Sequence, residues 1–288
     1  MAIPGLSIIG ESINDSVPST KKLFDAGDIA GILDLARTQD EKGAAFIDVN
    51  VGPRSPEFMA ELVKKVQQVT AKPLSIDTPD PEIARAGLEA YDLDRTGGKR
   101  PILNSISPLR VSMFDLAAIQ PFRPILLISE RIENGASRPC HTAEETYEAA
   151  KSLLAAARNA KIANGDCIFD PGIAPIGSDS EGNLKRLIEG ITLIHNDPDM
   201  AGVHMSVGLS NFTVMLPAKR PDGSPVKGPL ESAFLAKAMP LGLDMVIGSV
   251  KRNYEVLTPD HPAMQCLEDC IRQPGFDAIM RVREFYTT

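Results

Sequence analysis

Five times along this 288-residue chain, a short apolar run ends on an aspartate or asparagine and gives way to a turn and a segment with helical spacing. The runs are Phe46-Ile-Asp48-Val-Asn50, Leu74-Ser-Ile-Asp77-Thr78, Ile102-Leu-Asn104, Ile168-Phe-Asp170 and His204-Met-Ser-Val-Gly-Leu-Ser-Asn211. Apolar runs that alternate with helical patterns are how a parallel sheet covered on both faces is written. When such a sheet closes into a barrel, its C-terminal strand ends converge on one mouth, and polar residues there line one pocket. Any single Asp or Asn at such a place also serves as a cap for the next helix. Repetition at five strand ends argues for the shared pocket.

The remaining strands are Leu6–Ile9, bounded by Gly10 and followed by a loop over 11–14, then Pro124–Ile128 and Met245–Ile247. Helical spacing marks 27–42 through Ile29, Ile32, Leu33, Leu35 and Ala36. It also marks the segment from Pro56 through Met59, Leu62, Val63 and Val66. Further helices are expected from Pro81, over 108–118, up to about Ala163, over 181–195, over 229–240 and from Pro262. Leu93–Arg100 is a polar turn at the opposite end of the barrel. Eight strand–helix units predict the α/β class and a single (β/α)8 TIM barrel as one domain over residues 1–288, a fold that takes about 250 residues. Two connections stand out: the loop to about Ala143 with Asn134-Gly135 and Cys140-His141, and the stretch from Phe212 to Gly228, the longest in the chain.

A net charge of −8 argues against broad nucleic-acid binding, which needs a basic face. Cys140, Cys167, Cys266 and Cys270 are too few and scattered for a disulfide framework and point to a reducing compartment. Cys266 and Cys270 share a helix face without third and fourth ligands nearby, so they read as packing residues and no metal site is expected. Met-Ala-Ile-Pro-Gly at the start carries no basic region ahead of an apolar stretch, and no segment reaches a membrane-spanning length of ~20 apolar residues. The expectation is a cytoplasmic protein that does not enter membranes. The histidines are far apart in sequence, and His204 reads as a satisfied strand residue. No Ser/His/Asp arrangement or Gly-rich phosphate loop is present.

The set Ile47-Asp-Val-Asn50-Val-Gly52, Ser75-Ile-Asp77-Thr78, Ile102-Leu-Asn104-Ser105, Phe169-Asp170-Pro-Gly172 and Gly208-Leu-Ser-Asn211 closely resembles the pterin-binding barrels. These comprise dihydropteroate synthases and the methyltetrahydrofolate-dependent methyltransferases that work with corrinoid proteins. The opening Ile8-Ile-Gly-Glu-Ser-Ile-Asn14 resembles the methyltransferase branch, and the resemblance runs through nearly the whole chain in order. It implies that Asp77, Asn104 and Asp170 hold the pterin ring, that Asn211 lies near the reactive pterin nitrogen, and that Asp48 and Asn50 line the pocket. The chemistry suits a reduced pterin, whose edge alternates donors and acceptors: carboxylates take the donors and an amide offers both functions. A dihydropteroate synthase carries a basic Ser-x-Arg type motif on its last strand. Here that strand reads Leu243-Asp-Met-Val-Ile-Gly-Ser-Val-Lys251, with Lys251 and Arg252 beyond its end, and Gly52-Pro-Arg54-Ser-Pro only partly matches the synthase's Ser-Thr-Arg-Pro.

The resemblance therefore favours methyl transfer between a methylcorrinoid and the pterin nitrogen of tetrahydrofolate. Tetrahydrofolate or methyltetrahydrofolate is then the substrate, and the corrinoid (cobalamin) is carried by a separate corrinoid protein within a multi-protein C1 or O-demethylase system. The resembling methyltransferases are homodimers. The mouth should be open enough to meet a corrinoid, and Lys219, Arg220 and Lys227 of the long connection can grip the folate's glutamate tail or the corrinoid protein, or form a solvated loop. A synthase-like condensation enzyme and a non-catalytic folate-binding subunit are the alternatives.

Overall fold

Eight parallel strands close into a barrel in the computed structural model, which describes residues 3–288. In chain order the elements begin β1 (Ser7–Asn14), α1 (Pro18–Ala26), α2 (Ile29–Glu41), β2 (Phe46–Asn50), α3 (Pro56–Val66), β3 (Leu74–Asp77) and α4 (Pro81–Ala90). They continue with β4 (Ile102–Ile106), a 3-10 segment over Pro108–Ala118, β5 (Arg123–Leu127), a hairpin of β6 (Glu130–Glu133) and β7 (Ala136–Pro139), α5 (Ala143–Asn159) and β8 (Ile168–Asp170). The last elements are α6 (Asn183–His195), β9 (His204–Gly208), the single turn α7 (Leu209–Phe212), α8 (Lys227–Ala238), β10 (Leu243–Gly248), α9 (Pro262–Arg272) and α10 (Phe276–Thr287). The barrel runs β1-β10-β9-β8-β5-β4-β3-β2, so β1 closes on both β10 and β2. This is the expected (β/α)8 TIM barrel.

Strand side chains alternate between two environments, and that alternation places the site. Outward residues such as Ile47, Val49, Leu74, Ile76, Leu103, Phe169 and Val207 pack in the large core beneath the helices. A separate apolar cluster of Ile9, Phe46, Ile102, Ile125, Ile168 and Met245 fills the barrel interior. Two residues further along the same inward faces the chemistry changes from apolar to polar. Phe46 is followed by Asp48 and Asn50, Ile102 by Asn104, Ile168 by Asp170 and Ile9 by Glu11. The barrel therefore has an apolar floor and a polar upper layer that opens at the C-terminal strand ends.

Helix starts follow local rules: Asp28, Ser55, Asp80 and Thr142 accept backbone N–H groups at the starts of α2, α3, α4 and α5, and prolines open α3 and α4. The packing residues foreseen on α3 (Met59, Leu62, Val63 and Val66) are buried. Cys266 and Cys270 are buried on one face of α9, their sulfurs near the carbonyls of Arg281 and Ala278 of α10. His204 sits at the start of β9 with Nδ1 2.5 Å from Asp244 Oδ2.

The structure departs from the sequence reading in four places. Residues 11–14, expected as loop, extend β1, because a register shift between Gly10 and Ile13 lets Ile13 and Asn14 keep pairing with Val49 and Asn50. The helix expected over 27–42 is α2, with a second helix, α1, ahead of it. Between β5 and α5 the connection folds back as the β6/β7 hairpin, whose turn residues Asn134 and Gly135 have φ of 52° and 78°, the left-handed pair that a two-residue hairpin turn requires. In the long connection an isolated bridge joins Lys219 to Pro225, and the Arg220 guanidinium lies 3.9 Å from the centre of the Phe285 ring on α10.

Candidate active site

The inward polar layer assembles four of the six expected residues on three adjacent strands. Asn50 at the end of β2 donates through Nδ2 to Asp77 Oδ2 at 2.9 Å, and its Oδ1 accepts the Gly52 N–H at 2.9 Å. Asp77 stands in register with Asn104 on β4, and Asp48 in register with Ser75 on β3. Asp170 lies at the end of β8, across β5 from this group. Asn211 is on α7, exposed, and no hydrogen bond joins it to the other five among the described residues. It folds over the end of β9: a Cβ at Gly208 would meet Asn211 Nδ2 at 2.9 Å, so the lack of a side chain at Gly208 is what lets the amide sit there.

Burial dominates the electrostatics. Asp48 is 1% exposed, and neither of its carboxylate oxygens has a hydrogen-bond partner. Burial and the neighbouring charge of Asp77 push its pKa well above the carboxylate range, while Ser75 and Asn104 pull the other way. Asp77 is also raised by burial, with Asn50 opposing the shift. Ionisation of one carboxyl thus disfavours ionisation of the other, and burial acts on both in the same direction. Asp170, 9% exposed, is pushed by burial to about 6 against the opposing Gly172 N–H, which donates to Oδ1 at 2.8 Å, and the charge of Arg186. Arg186 of α6 is itself buried and braces the strand end by donating to the carbonyls of Pro171 and Gly172 and to Thr146 Oγ1. Ser75 Oγ and Ser206 Oγ, also buried, lack partners. Unpaired buried polar atoms cost about 1–3 kcal/mol each, a cost that a ligand's own donors and acceptors would offset.

A second group of side chains, which the sequence reading did not single out, frames the other side of the mouth. Ser210 Oγ donates to Glu11 Oε2 at 3.1 Å, joining the turn after β9 to β1 across β10. Thr213 Oγ1 donates to Glu231 Oε1 at 2.5 Å; Glu231, on α8, is 0% exposed, and its other oxygen lies 3.3 Å from Arg252 Nε. Burial raises the pKa of both Glu11 and Glu231, and Arg252 opposes the shift in each. The turn bearing Asn211 is thus pinned on one side by the half-buried Glu11 and on the other by the buried Glu231. Glu11 stood within the opening motif, but the loop expected over 11–14 hid its inward direction; the one available signal was its spacing of two from Ile9.

Arg54, on the loop after β2, is engaged locally: it lies 2.6 Å from Asp15 Oδ1, 3.4 Å from Asp25 Oδ1 and 4.4 Å from the centre of the Phe24 ring. Among the described residues no group of three or more His, Cys, Asp or Glu is placed to hold a metal ion, and no helix is long and apolar enough to cross a membrane.

Comparison with known proteins bears on what such a mouth holds. The pterin binding enzyme family matches residues 13–248. A protein of Eubacterium limosum named methylcorrinoid:tetrahydrofolate methyltransferase is 30% identical over 252 residues, covering 83% of this chain and 83% of its own. Among solved structures, a dihydropteroate synthase of Xanthomonas albilineans in complex with 7,8-dihydropteroate superposes with a TM-score of 0.52 at 15% identity, covering 93% of this chain and 92% of its own. A Yersinia pestis dihydropteroate synthase gives 0.54 at 14%, covering 91% and 92%. At that identity these two structures speak for the fold alone.

Proposed function

Since the chain belongs to the pterin-binding enzyme family, we propose that it is a methyltransferase that moves a methyl group between a methylcorrinoid on a separate corrinoid protein and the pterin nitrogen of tetrahydrofolate. In this reading it serves a multi-protein one-carbon or O-demethylase system. The observation that carries it is the relative named for this reaction, which matches over the same large share of both chains. The orphaned carboxylate of Asp48 and the raised acids around it suit a donor-rich ring edge. The synthase alternative calls for a free cation in the second loop to take pyrophosphate, and Arg54 is occupied by Asp15, Asp25 and Phe24.

Asp77, Asn104 and Asp170 hold the ring in this reading, with Asn50 fixing Asp77 and Asp48 lining the pocket beside them. The methylcorrinoid supplies an electrophilic methyl group and keeps the bonding electron pair when it departs. The pterin nitrogen gives its lone pair to that methyl group and then releases its proton to solvent, which reaches the exposed Asn211. The Asn211 oxygen accepts the N–H as positive charge grows there, an interaction stronger in the transition state than in the ground state. In the reverse direction the same amide stabilises the protonated nitrogen before the methyl group leaves. No protein nucleophile is required, and the work of the barrel is alignment and charge stabilisation.

The direct test mixes the protein with tetrahydrofolate and free methylcob(III)alamin without oxygen and follows the corrinoid spectrum. Appearance of the cob(I)alamin spectrum with formation of methyltetrahydrofolate is expected. If neither free methylcobalamin nor a methylated corrinoid protein is demethylated, the reading fails.

A further inference from the structure

We infer that Gln39, on α2, is a positioning residue for the mouth: it holds a bulge in β1 that turns Glu11 inward, where Glu11 anchors Ser210 and the Asn211 turn. Only the kinetic readout of this inference rests on the methyl-transfer reading. The bulge lies in the pairing of β1 with β2. Ile9 stands opposite Phe46 and Gly10 opposite Ile47, whereas Ile13 stands opposite Val49. Glu11 and Ser12 therefore face the single residue Asp48, which is the two-against-one count of a β-bulge. Its effect shows in the side chains around it. Ile9 belongs to the apolar cluster of the barrel interior and Ile13 to the core beneath the helices, although a regular strand puts residues four apart on one face. Within this switch of face Glu11 Oε2 accepts Ser210 Oγ at 3.1 Å.

A bulge takes backbone groups out of the ladder, and here side chains from two helices satisfy them. The Ser12 N–H donates to Gln39 Oε1 at 2.9 Å, and the Ser12 carbonyl accepts Thr20 Oγ1 of α1 at 2.8 Å. Both Gln39 and Thr20 are buried. Gly10 makes the approach of α2 possible, since a Cβ there would lie 2.4 Å from Gln39 Oε1. The bond to Ser12 is the one hydrogen bond that the Gln39 side chain makes among the described residues, because its Nε2 is buried without a partner. An orphaned buried donor costs about 1–3 kcal/mol, and an unbranched apolar side chain of similar length would fill the place without that cost. What the amide supplies in exchange is the fixed Ser12 N–H, and with it the direction of Glu11. The ring-holding residues Asp77, Asn104 and Asp170 stand on β3, β4 and β8, none of which pairs with β1, so a relaxed bulge should disturb the Asn211 side of the mouth alone.

Two variants reach the same contact from opposite sides. Gln39→Met removes the acceptor at similar length, and Gly10→Ala adds a methyl group that displaces the amide from Ser12 while leaving Gln39 in place. In each, backbone amides over 208–216 should exchange with deuterium about fivefold faster, the equivalent of one ordinary hydrogen bond, and tetrahydrofolate affinity should stay at the native value. The kcat for methyl transfer from methylcobalamin should fall by a similar factor at unchanged KM. In a Glu11→Ala background, Gln39→Met should change neither exchange nor kcat further, because a residue that acts through Glu11 then has nothing to act on. Native exchange over 208–216 in both single variants overturns the inference, as do losses that add in full with that of Glu11→Ala. A parallel loss of folate affinity, or a Gln39→Met chain that no longer folds, would make Gln39 a support of the whole barrel and also overturn it. Faster exchange in the variants of a native protein that transfers no methyl group would leave the inference standing and remove the methyl-transfer reading.

Discussion

Replacing Asp170 with asparagine should stabilise the protein in the absence of folate, and more so as pH rises. Asp170 is buried with a pKa near 6, against an ordinary aspartate value of 3.8. The folded state thus holds a proton that the unfolded state releases at lower pH, so stability is greatest below about pH 4 and falls as pH rises through the folded value. The full loss is roughly 3 kcal/mol, from a shift of about two units at ~1.4 kcal/mol each, and about 1.4 kcal/mol of it falls between about pH 5 and pH 7.5. Asparagine removes this dependence and keeps the local geometry. Its oxygen still accepts the Gly172 N–H, and Arg186 remains bonded to Thr146, Pro171 and Gly172. Urea unfolding of both proteins across that pH range checks the sign: the advantage of Asp170→Asn should grow by ~1–1.5 kcal/mol toward pH 7.5. The folate affinity of the same variant should fall about tenfold, because a neutral oxygen accepts more weakly than a carboxylate. A stability difference that stays constant with pH, or one that turns against the variant as pH rises, would refute the argument from burial.

Two further substitutions separate holding from reacting. Asn211→Ala should cost one to two orders of magnitude in turnover with a much smaller change in folate affinity, the scale of one lost transition-state hydrogen bond; single-turnover rates and equilibrium binding distinguish the two, and equal losses would place Asn211 with the ring-holding residues. Glu11→Ala should lower kcat about tenfold, because Ser210 loses the anchor that steadies the Asn211 turn, and Glu11→Gln should restore most of it by keeping an acceptor for Ser210 Oγ; failure of the glutamine to rescue would assign Glu11 an ionic rather than a positioning role.

The polar layer at the barrel mouth is legible in the sequence because the barrel reuses one rule. Inward positions are two apart, so the step from Phe46 to Asp48 to Asn50, or from Ile168 to Asp170, shows in the sequence as an apolar run that ends polar. The residues that escaped notice follow no such run. Glu11 lies in Gly-Glu-Ser-Ile-Asn, where only Ile13 is buried and apolar, and it becomes strand because β2 supplies pairing through a shifted register. α1 buries only Thr20 and Phe24, too little apolar spacing to announce a helix. Asn134-Gly135 signalled a tight turn, but the flanking Glu-Arg-Ile-Glu and Ala-Ser-Arg-Pro lack the alternation that would have named strands. Glu231 belongs to a helix buried over most of its surface, so periodicity gave no face to inspect; an acid amid Leu230, Ala233 and Phe234 was the only cue.

The two sides of the mouth are held by different means, and the proposed reaction gives a reason. Asp48, Asn50, Asp77, Asn104 and Asp170 sit on strands or at their ends, where the sheet fixes their positions. That suits a small rigid ring, whose recognition depends on fixed donors and acceptors. Asn211, Ser210, Thr213 and Arg252 instead lie in the turn after β9 and the loop after β10, tied down by Glu11 and Glu231 rather than by a ladder. A group that must meet a methyl donor as large as a protein-borne corrinoid needs to stay exposed, so it cannot be fixed by burial. Anchoring the turn through the buried Glu231 and the half-buried Glu11, with Leu209 and Phe212 of the same turn buried, resolves that conflict: the backbone is held while the Asn211 amide remains open to the second substrate. The same burial that strengthens these anchors raises the pKa values of Glu11 and Glu231. Positioning of Asn211 and the protonation of the acids behind it are consequently one physical property of this barrel rather than two.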